Sequence, residues 1–200
     1  MPPSLFAGFA LGFSLIMAIG SQNAFVLRQG LRRQHVFWIC LTCAVSDAVL
    51  ITAGVAGFGA LISANEWVLT LVLYAGAAFL FVYGAMNFKA AFSGGGKLED
   101  KGRTAGSLLA AFTTCLLLTW ANPHVYLDTV ILLGGISAQY DPSWAFGLGA
   151  AIASFTFFFS LGFGAQLLQP LFTSPRAWQA LDGLVGLTMW GIALSLLVKA

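Results

Sequence analysis

TWANPHVYLDTVILLGG, residues 119–135, decides how the rest of this chain is read. It sets Asn122, Pro123, His124 and Asp128 into a run, Ala105 to Gly134, that is otherwise uncharged. In lipid, one helix of that length would rise roughly 45 Å against a hydrocarbon core of about 30 Å, so it must tilt, break or stop early. Pro123 has no backbone N–H to donate and frees a carbonyl one turn back. Unpaired backbone groups at membrane depth are tolerated only against protein or a water-filled cavity. The break therefore predicts a cavity, and Asp128 is the kind of group such a cavity would hold.

Composition places the whole chain in one class. Of 200 residues, 59% are hydrophobic and 8% charged, with a mean hydropathy of +0.89. This predicts a single polytopic transmembrane domain over residues 1–200 rather than a soluble one. No Lys or Arg precedes the first apolar run, and that run is too long for a signal-peptide core, so it is expected to stay in the protein. No Walker loop or GxGxxG-to-helix context offers a nucleotide site. The reading calls for no cofactor, no metal, no nucleic acid and no enzymatic activity.

Six apolar segments, at about residues 4–27, 36–63, 67–88, 106–134, 143–168 and 177–198, are each near the length a spanning helix needs. Arg28, Arg32 and Arg33 follow the first, Lys89, Lys97, Lys101 and Arg103 the third, and Arg176 the fifth, so eight of the nine basic residues fall in alternate loops. The positive-inside rule makes those loops cytoplasmic, including a linker at about 89–105 with the flexible Gly94-Gly95-Gly96 run, and puts both termini outside. The polar GSQN at 20–23 leaves a second topology open, with a re-entrant first segment, five spans and an internal N-terminus. The C-terminus is outside in either case.

Two sets of three spans must face opposite ways, which invites a search for an inverted repeat. Asn23 and Val26 match Asn122 and Val125; Ser46, Thr52 and Gly54 match Ser154, Ser160 and Gly162; Gly76, Tyr83 and Gly84 match Gly183, Trp190 and Gly191. The predicted fold is all-α, six transmembrane helices as a 3+3 inverted repeat. Its helix breaks, related by symmetry, fall near 20–24, at Gly20, and near 121–124, at Pro123.

Three acids lie within the segments: Asp47, Asp128 and Asp182. An ionised Asp at a helix centre costs about 2.5 to 3.5 kcal/mol on insertion scales, so it should face the bundle interior and have a partner. No well-buried Lys or Arg is expected in the six segments. Asp182 is near enough to the boundary to be wetted. For Asp47 and Asp128 the partner is expected from outside, as a cation or a proton, the alternative being bonds to neighbouring Ser, Thr or amide groups. Gln22, Asn23, Asn122 and His124 supply amides and an imidazole at the breaks, where half-helix N-termini would suit a carboxylate. The Gly8 to Gly12 spacing reads as helix packing. Cys40-x-x-Cys43, with Cys115 on another segment, admits a redox reading, but no flanking cation is there to activate a thiol.

These residues resemble the bacterial basic amino acid exporters of the lysine exporter (LysE) type, especially the arginine exporter branch. The resemblance rests on GFSLIMAIGSQNAFVLRQGLRR at 12–33, SDAVLITAGVAG at 46–57, YAGAAFLFVYG at 74–84 and NPHVYLDTVILLGG at 122–135. Where the wider family carries PGP and NPK breaks, GSQN and NPH stand here, which favours the basic-substrate branch. The resemblance implies a secondary active exporter of L-arginine, L-lysine or both across the bacterial inner membrane. It places the family's acidic pair on Asp47 and Asp128. Export of a cation against an inside-negative potential needs coupling, and protons are the simplest source. The partners expected are a cationic amino acid, protons and the bilayer, with homo-oligomerisation left open. Two alternatives stand beside this reading: an exporter of neutral amino acids such as threonine or homoserine, and a membrane thiol-disulfide electron carrier using Cys43 and Cys115.

Overall fold

The computed structural model describes residues 3–17, 20–57, 66–93 and 107–199, and these are helical nearly throughout. The chain runs through α1 (Pro3–Ile16), α2 (Ser21–Arg32), α3 (Val36–Val55), α4 (Glu66–Phe92), α5 (Leu108–Trp120) and α6 (Pro123–Tyr126). A π-helical turn (Leu127–Leu132) leads into α7 (Leu133–Ser137), followed by α8 (Ser143–Gly164), a 3-10 segment (Ala165–Thr173) and α9 (Pro175–Lys199). The Gly94–Gly96 run, Lys97, Lys101 and Arg103 lie outside the described residues.

The packing is inverted relative to a water-soluble bundle. Large apolar side chains such as Phe6, Trp67, Leu109, Leu117, Trp144, Leu187 and Val198 point outward, while Ser21, Gln22, Asn23, Asp47, Thr119, Asn122 and Ser154 are buried. So much exposed apolar surface fits a lipid solvent. Intramembrane polar groups then turn toward the bundle interior.

Among the described residues, four helices are long and apolar enough to cross a membrane: Val36–Val55, Leu73–Phe92 within α4, Ser143–Phe172 and Pro175–Val198. A fifth span results if the bent pair α1 and α2 counts as one. The fourth segment is broken as expected, leaving two short apolar helices, Leu108–Trp120 and Leu127–Ser137. The first segment is broken as well, but runs further than expected. It is interrupted ahead of Ser21, the two pieces meet at 80°, and α2 continues to Arg32, so Arg28 belongs to a helix and not to a loop. Ser21, Gln22 and Asn23 form the first turn of α2, with extended Gly20 before them (φ −116°, ψ 176°).

Helix contacts are concentrated in a few pairings. α4 packs against α9, α1 and α2 pack on α8, α3 takes α5, the π-turn and α7, and α3 and α8 pack together. Small residues permit the closest of these approaches. A Cβ on Gly8 would run into the Phe146 carbonyl, and one on Gly149 into the Leu5 carbonyl, so α1 and α8 touch through their backbones. Gly54 does the same for α3. A Cβ there would sit 2.7 Å from the Thr129 carbonyl oxygen and 2.8 Å from that of Val130, which presses the π-turn onto α3.

Candidate functional site

Both helix interruptions open onto one cavity. α1 stops at Ile16, and Asn23, one turn into α2, donates from Nδ2 to the Ile16 carbonyl at 2.6 Å. That bond satisfies one of the carbonyls a helix end leaves orphaned. On the other side of the bend the first N–H groups of α2 have no carbonyl of their own helix, since the first internal bond runs from Ala24 N to Gly20 O at 3.0 Å. Gly20 has no side chain with which to cap them. The partial positive end of the α2 dipole therefore lies at the bend.

The second interruption is tighter. α5 ends at Trp120, and Pro123 restarts the helix at a position where its missing N–H is no loss. Tyr126 hydroxyl spans the gap by donating to the Trp120 carbonyl at 2.8 Å. The following turn is π-helical, closed by Leu133 N to Asp128 O, and Thr129 Oγ1 donates back to Val125 O at 2.6 Å. Single π-turns inside helices recur at functional sites because they displace side chains from the regular α register. Here the displaced segment carries Asp128. The two interruptions touch: Asn122 Nδ2 lies 3.4 Å from Ser21 Oγ.

The cavity at this junction measures about 60 Å³ and is lined by Gly20, Gln22, Asn23, Asp47, Asn122, Asp128 and Thr129, with Leu15, Ile16, Val125, Leu133 and Phe158 as its apolar walls. That is room for a few waters. Asp47 reaches it from the middle of α3 and is 3% exposed. Ser154 Oγ, on α8, donates to Asp47 Oδ2 at 3.0 Å, while the buried Oδ1 and the Gln22 amide nitrogen make no hydrogen bond of good geometry among the described residues. Both groups belong to residues that line the cavity. Buried polar atoms left in this way are rare in folded proteins.

Of the residues singled out from sequence, the structure thus gathers Gly20, Gln22, Asn23, Asp47, Asn122 and Asp128 around one space. Pro123 opens α6, and His124 lies on that helix by its backbone; its side chain is outside the described residues. Three polar contributors were not assigned a place in the site from sequence: Ser21, Thr129 and Ser154. Ser154 left a trace, since the repeat pairs it with Ser46, the neighbour of Asp47.

Two sequence expectations need correction. Asp182 is not wetted: it is 3% exposed, because α9 turns it inward against α2, where Arg28 pairs with it. The placement of Arg28 in a loop also fails, since α2 extends far enough to bring it, partly buried, against α9 and α4. Its Nη2 also donates to Asn87 Oδ1 at 3.2 Å. The signal was present in the helical spacing Ala24, Arg28, Leu31, which puts Arg28 beside two residues that are themselves buried.

The cysteines are free thiols, all buried. Cys43 and Cys115 lie 3.2 Å apart, and Cys40 donates to the Phe158 carbonyl at 3.1 Å. All three are sealed in the apolar cluster of Val26, Ile39 and Phe158.

The site can do two things chemically. Its carboxylates suit a cationic group, and the α2 N-terminus with its neighbouring amides suits a carboxylate. The chain is similar over nearly its whole length to proteins named as transporters and exporters. A protein of Mycobacterium tuberculosis (strain ATCC 25618 / H37Rv), named as a candidate amino-acid transporter, is 45% identical over 94% of this chain and 93% of its own length. The arginine exporter protein ArgO of Escherichia coli (strain K12) is 44% identical over 96% of this chain and 92% of its own. That of Pectobacterium carotovorum subsp. carotovorum (strain PC1) is 44% identical over 94% of each. No solved structure matches significantly. The family model described as LysE type translocator covers residues 13–200, which takes in both interruptions and every residue that lines the cavity, and the chain therefore belongs to the LysE type translocator family.

Proposed function

We propose that this protein exports cationic L-amino acids, arginine or lysine, across the bacterial inner membrane by exchange against protons. The observation that carries the reading is the convergence of Asp47 and Asp128 on one cavity at the junction of two helix interruptions. One carboxylate comes from the first half of the chain and one from the second. The relatives named as arginine exporters support the substrate class.

The substrate's α-carboxylate would meet the N-terminus of α2, and its side-chain cation would meet the acids. The cavity has room for a few waters, so an amino acid needs the half-helices to move apart. Alternation is supported by the pairing of helices: α4 packs with α9 and α3 with α8, while α1 and α2 pack on α8 much as α5 to α7 do on α3. A 3+3 inverted repeat in a single domain, rocking about a central site, would pair its helices in this way. The basic loops, with the linker at about 89–105, would face the cytoplasm and both termini the outside.

Moving one positive charge outward meets an opposing term of about 2.3 kcal/mol per 100 mV. A carboxylate holds a proton or a substrate cation, not both well, so Asp47 and Asp128 would alternate between them. The test is efflux of labelled arginine from proteoliposomes under an imposed pH gradient. Efflux should rise several-fold with protons available on the opposite side. Efflux indifferent to the gradient would remove the proton from the mechanism, and efflux of threonine in preference to arginine would overturn the substrate class. An electron carrier is disfavoured by the burial of all three thiols; export surviving replacement of Cys40, Cys43 and Cys115 by Ser would dispose of it.

A further inference from the structure

The two half-helices that follow the interruptions are held down by different means. Counting from the asparagines of the two breaks, Asn23 and Asn122, the residue five positions on is Arg28 in one case and Leu127 in the other. Both lean on the packed pair α4 and α9. Leu127 packs on the apolar cluster that contains Leu73, Ala77, Leu181 and Met189. Arg28 instead forms an ion pair with Asp182 of α9 and a hydrogen bond to Asn87 of α4. Asn87 donates from Nδ2 to the Tyr83 carbonyl at 2.8 Å, which turns its oxygen toward the guanidinium.

The ionic contact is asymmetric in its exposure. The Asp182 side chain is 4% exposed, whereas that of Arg28 is 24% exposed. A guanidinium that swings outward regains water, and the carboxylate it leaves loses its partner. Such a pair defines one closed position, whereas an apolar contact such as that of Leu127 can slide. α2 is also the element suited to moving, because it carries Gln22 and Asn23 into the cavity and joins α1 through an 80° bend at extended Gly20.

We propose that the Arg28 and Asp182 pair, steadied by Asn87, is a latch that holds α2 closed over the cavity and breaks whenever the cavity opens on that side. The inference rests on the transport reading above for its purpose, but its test does not require transport.

Gly20→Cys supplies the reporter. A Cβ at Gly20 has nothing within 4 Å, the residue lines the cavity, and the three native thiols are buried, so the parent protein gives the background. Alkylation by N-ethylmaleimide is followed in purified full-length protein carrying Gly20→Cys, with and without Arg28→Met and Asp182→Leu together. The two are replaced as a pair because removing one leaves a buried charge alone, whereas apolar residues of similar volume are tolerated. Alkylation should quicken roughly tenfold, the change given by about 1.4 kcal/mol of lost closure, with the thermal unfolding midpoint held. Arg28→Lys keeps the charge but not the forked contact, and should fall between the two; it decides the matter if the paired variant fails to fold. Rates unchanged in both variants, or quickening matched by a fall in the unfolding midpoint, would overturn the latch. Labelled-arginine exchange by the parent in parallel separates the two readings: its absence sinks transport and leaves the alkylation result to judge the latch.

Discussion

The two helix interruptions do the same topological job with different materials. The first is a wide bend of 80°, built on an extended Gly20 with no side-chain cap and repaired by the Asn23 bond to the Ile16 carbonyl. The second is narrow: two residues separate α5 from α6, Pro123 restarts the helix, and a π-turn absorbs the misfit. The first leaves a helix N-terminus facing the cavity, and the second delivers an acid into it. For a zwitterionic substrate of the kind proposed, the first would meet the carboxylate, and the second would add its acid to Asp47 against the cation.

The comparison can be broken at four places. The largest effect is expected where the second break is pressed on α3. Gly54→Val would push a branched side chain into the carbonyls of Thr129 and Val130, 2.7 and 2.8 Å from a Cβ. Overpacking of this kind costs about 1 to 3 kcal/mol or more, and the yield of monodisperse protein after detergent extraction should collapse.

Next comes the acid pair. Asp47→Asn and Asp128→Asn keep shape and remove charge, so each should insert normally and lose about 1.5 to 3 kcal/mol of substrate interaction, roughly 10- to 100-fold in export. Normal arginine export by both variants at matched protein levels would make the carboxylates structural. Asp47→Glu retains charge with an extra methylene in a packed wall and should keep partial activity.

Pro123→Ala should be milder. It restores an N–H at the restart of the helix and lets α5 and α6 draw together, moving Asn122 away from Ser21. Export should fall several-fold without loss of insertion, and undiminished export would show that the narrow break is not needed. Smallest is Gly20→Ala. Its backbone is in the extended region open to any residue, and the added methyl meets nothing, so export and unfolding temperature should stay near the parent. A large loss there would mean that the first break works through flexibility that the geometry does not require.

Much of this was legible in the residues, and the reason is the solvent. Lipid supplies no hydrogen bonds, so a proline, three polar side chains and an acid in an apolar run must mark a break beside a cavity. That argument found both interruptions, placing the first a few residues late because Ser21, Gln22 and Asn23 form the opening turn of α2 and only Gly20 belongs to the bend. It also singled out Gln22, Asn23, Asp47, Asn122 and Asp128, which the structure brings to one cavity. It failed at Arg28, where counting a basic residue as a loop residue hid the fact that the helix runs on to Arg32.

The sequence by itself determined an all-helical membrane chain with two broken helices and acids that had to face inward, because each follows from the local cost of a polar group in hydrocarbon. Only the tertiary structure decided which groups meet. Ser154 donates to Asp47 across 107 positions, Asn122 reaches Ser21 across 101, and Arg28 finds Asp182 across 154. Such contacts depend on how each helix is rotated and how closely its neighbours approach. In lipid those are set by the packing of small residues such as Gly8, Gly54 and Gly149 against distant backbones, a sum over the whole bundle that no single stretch of sequence records.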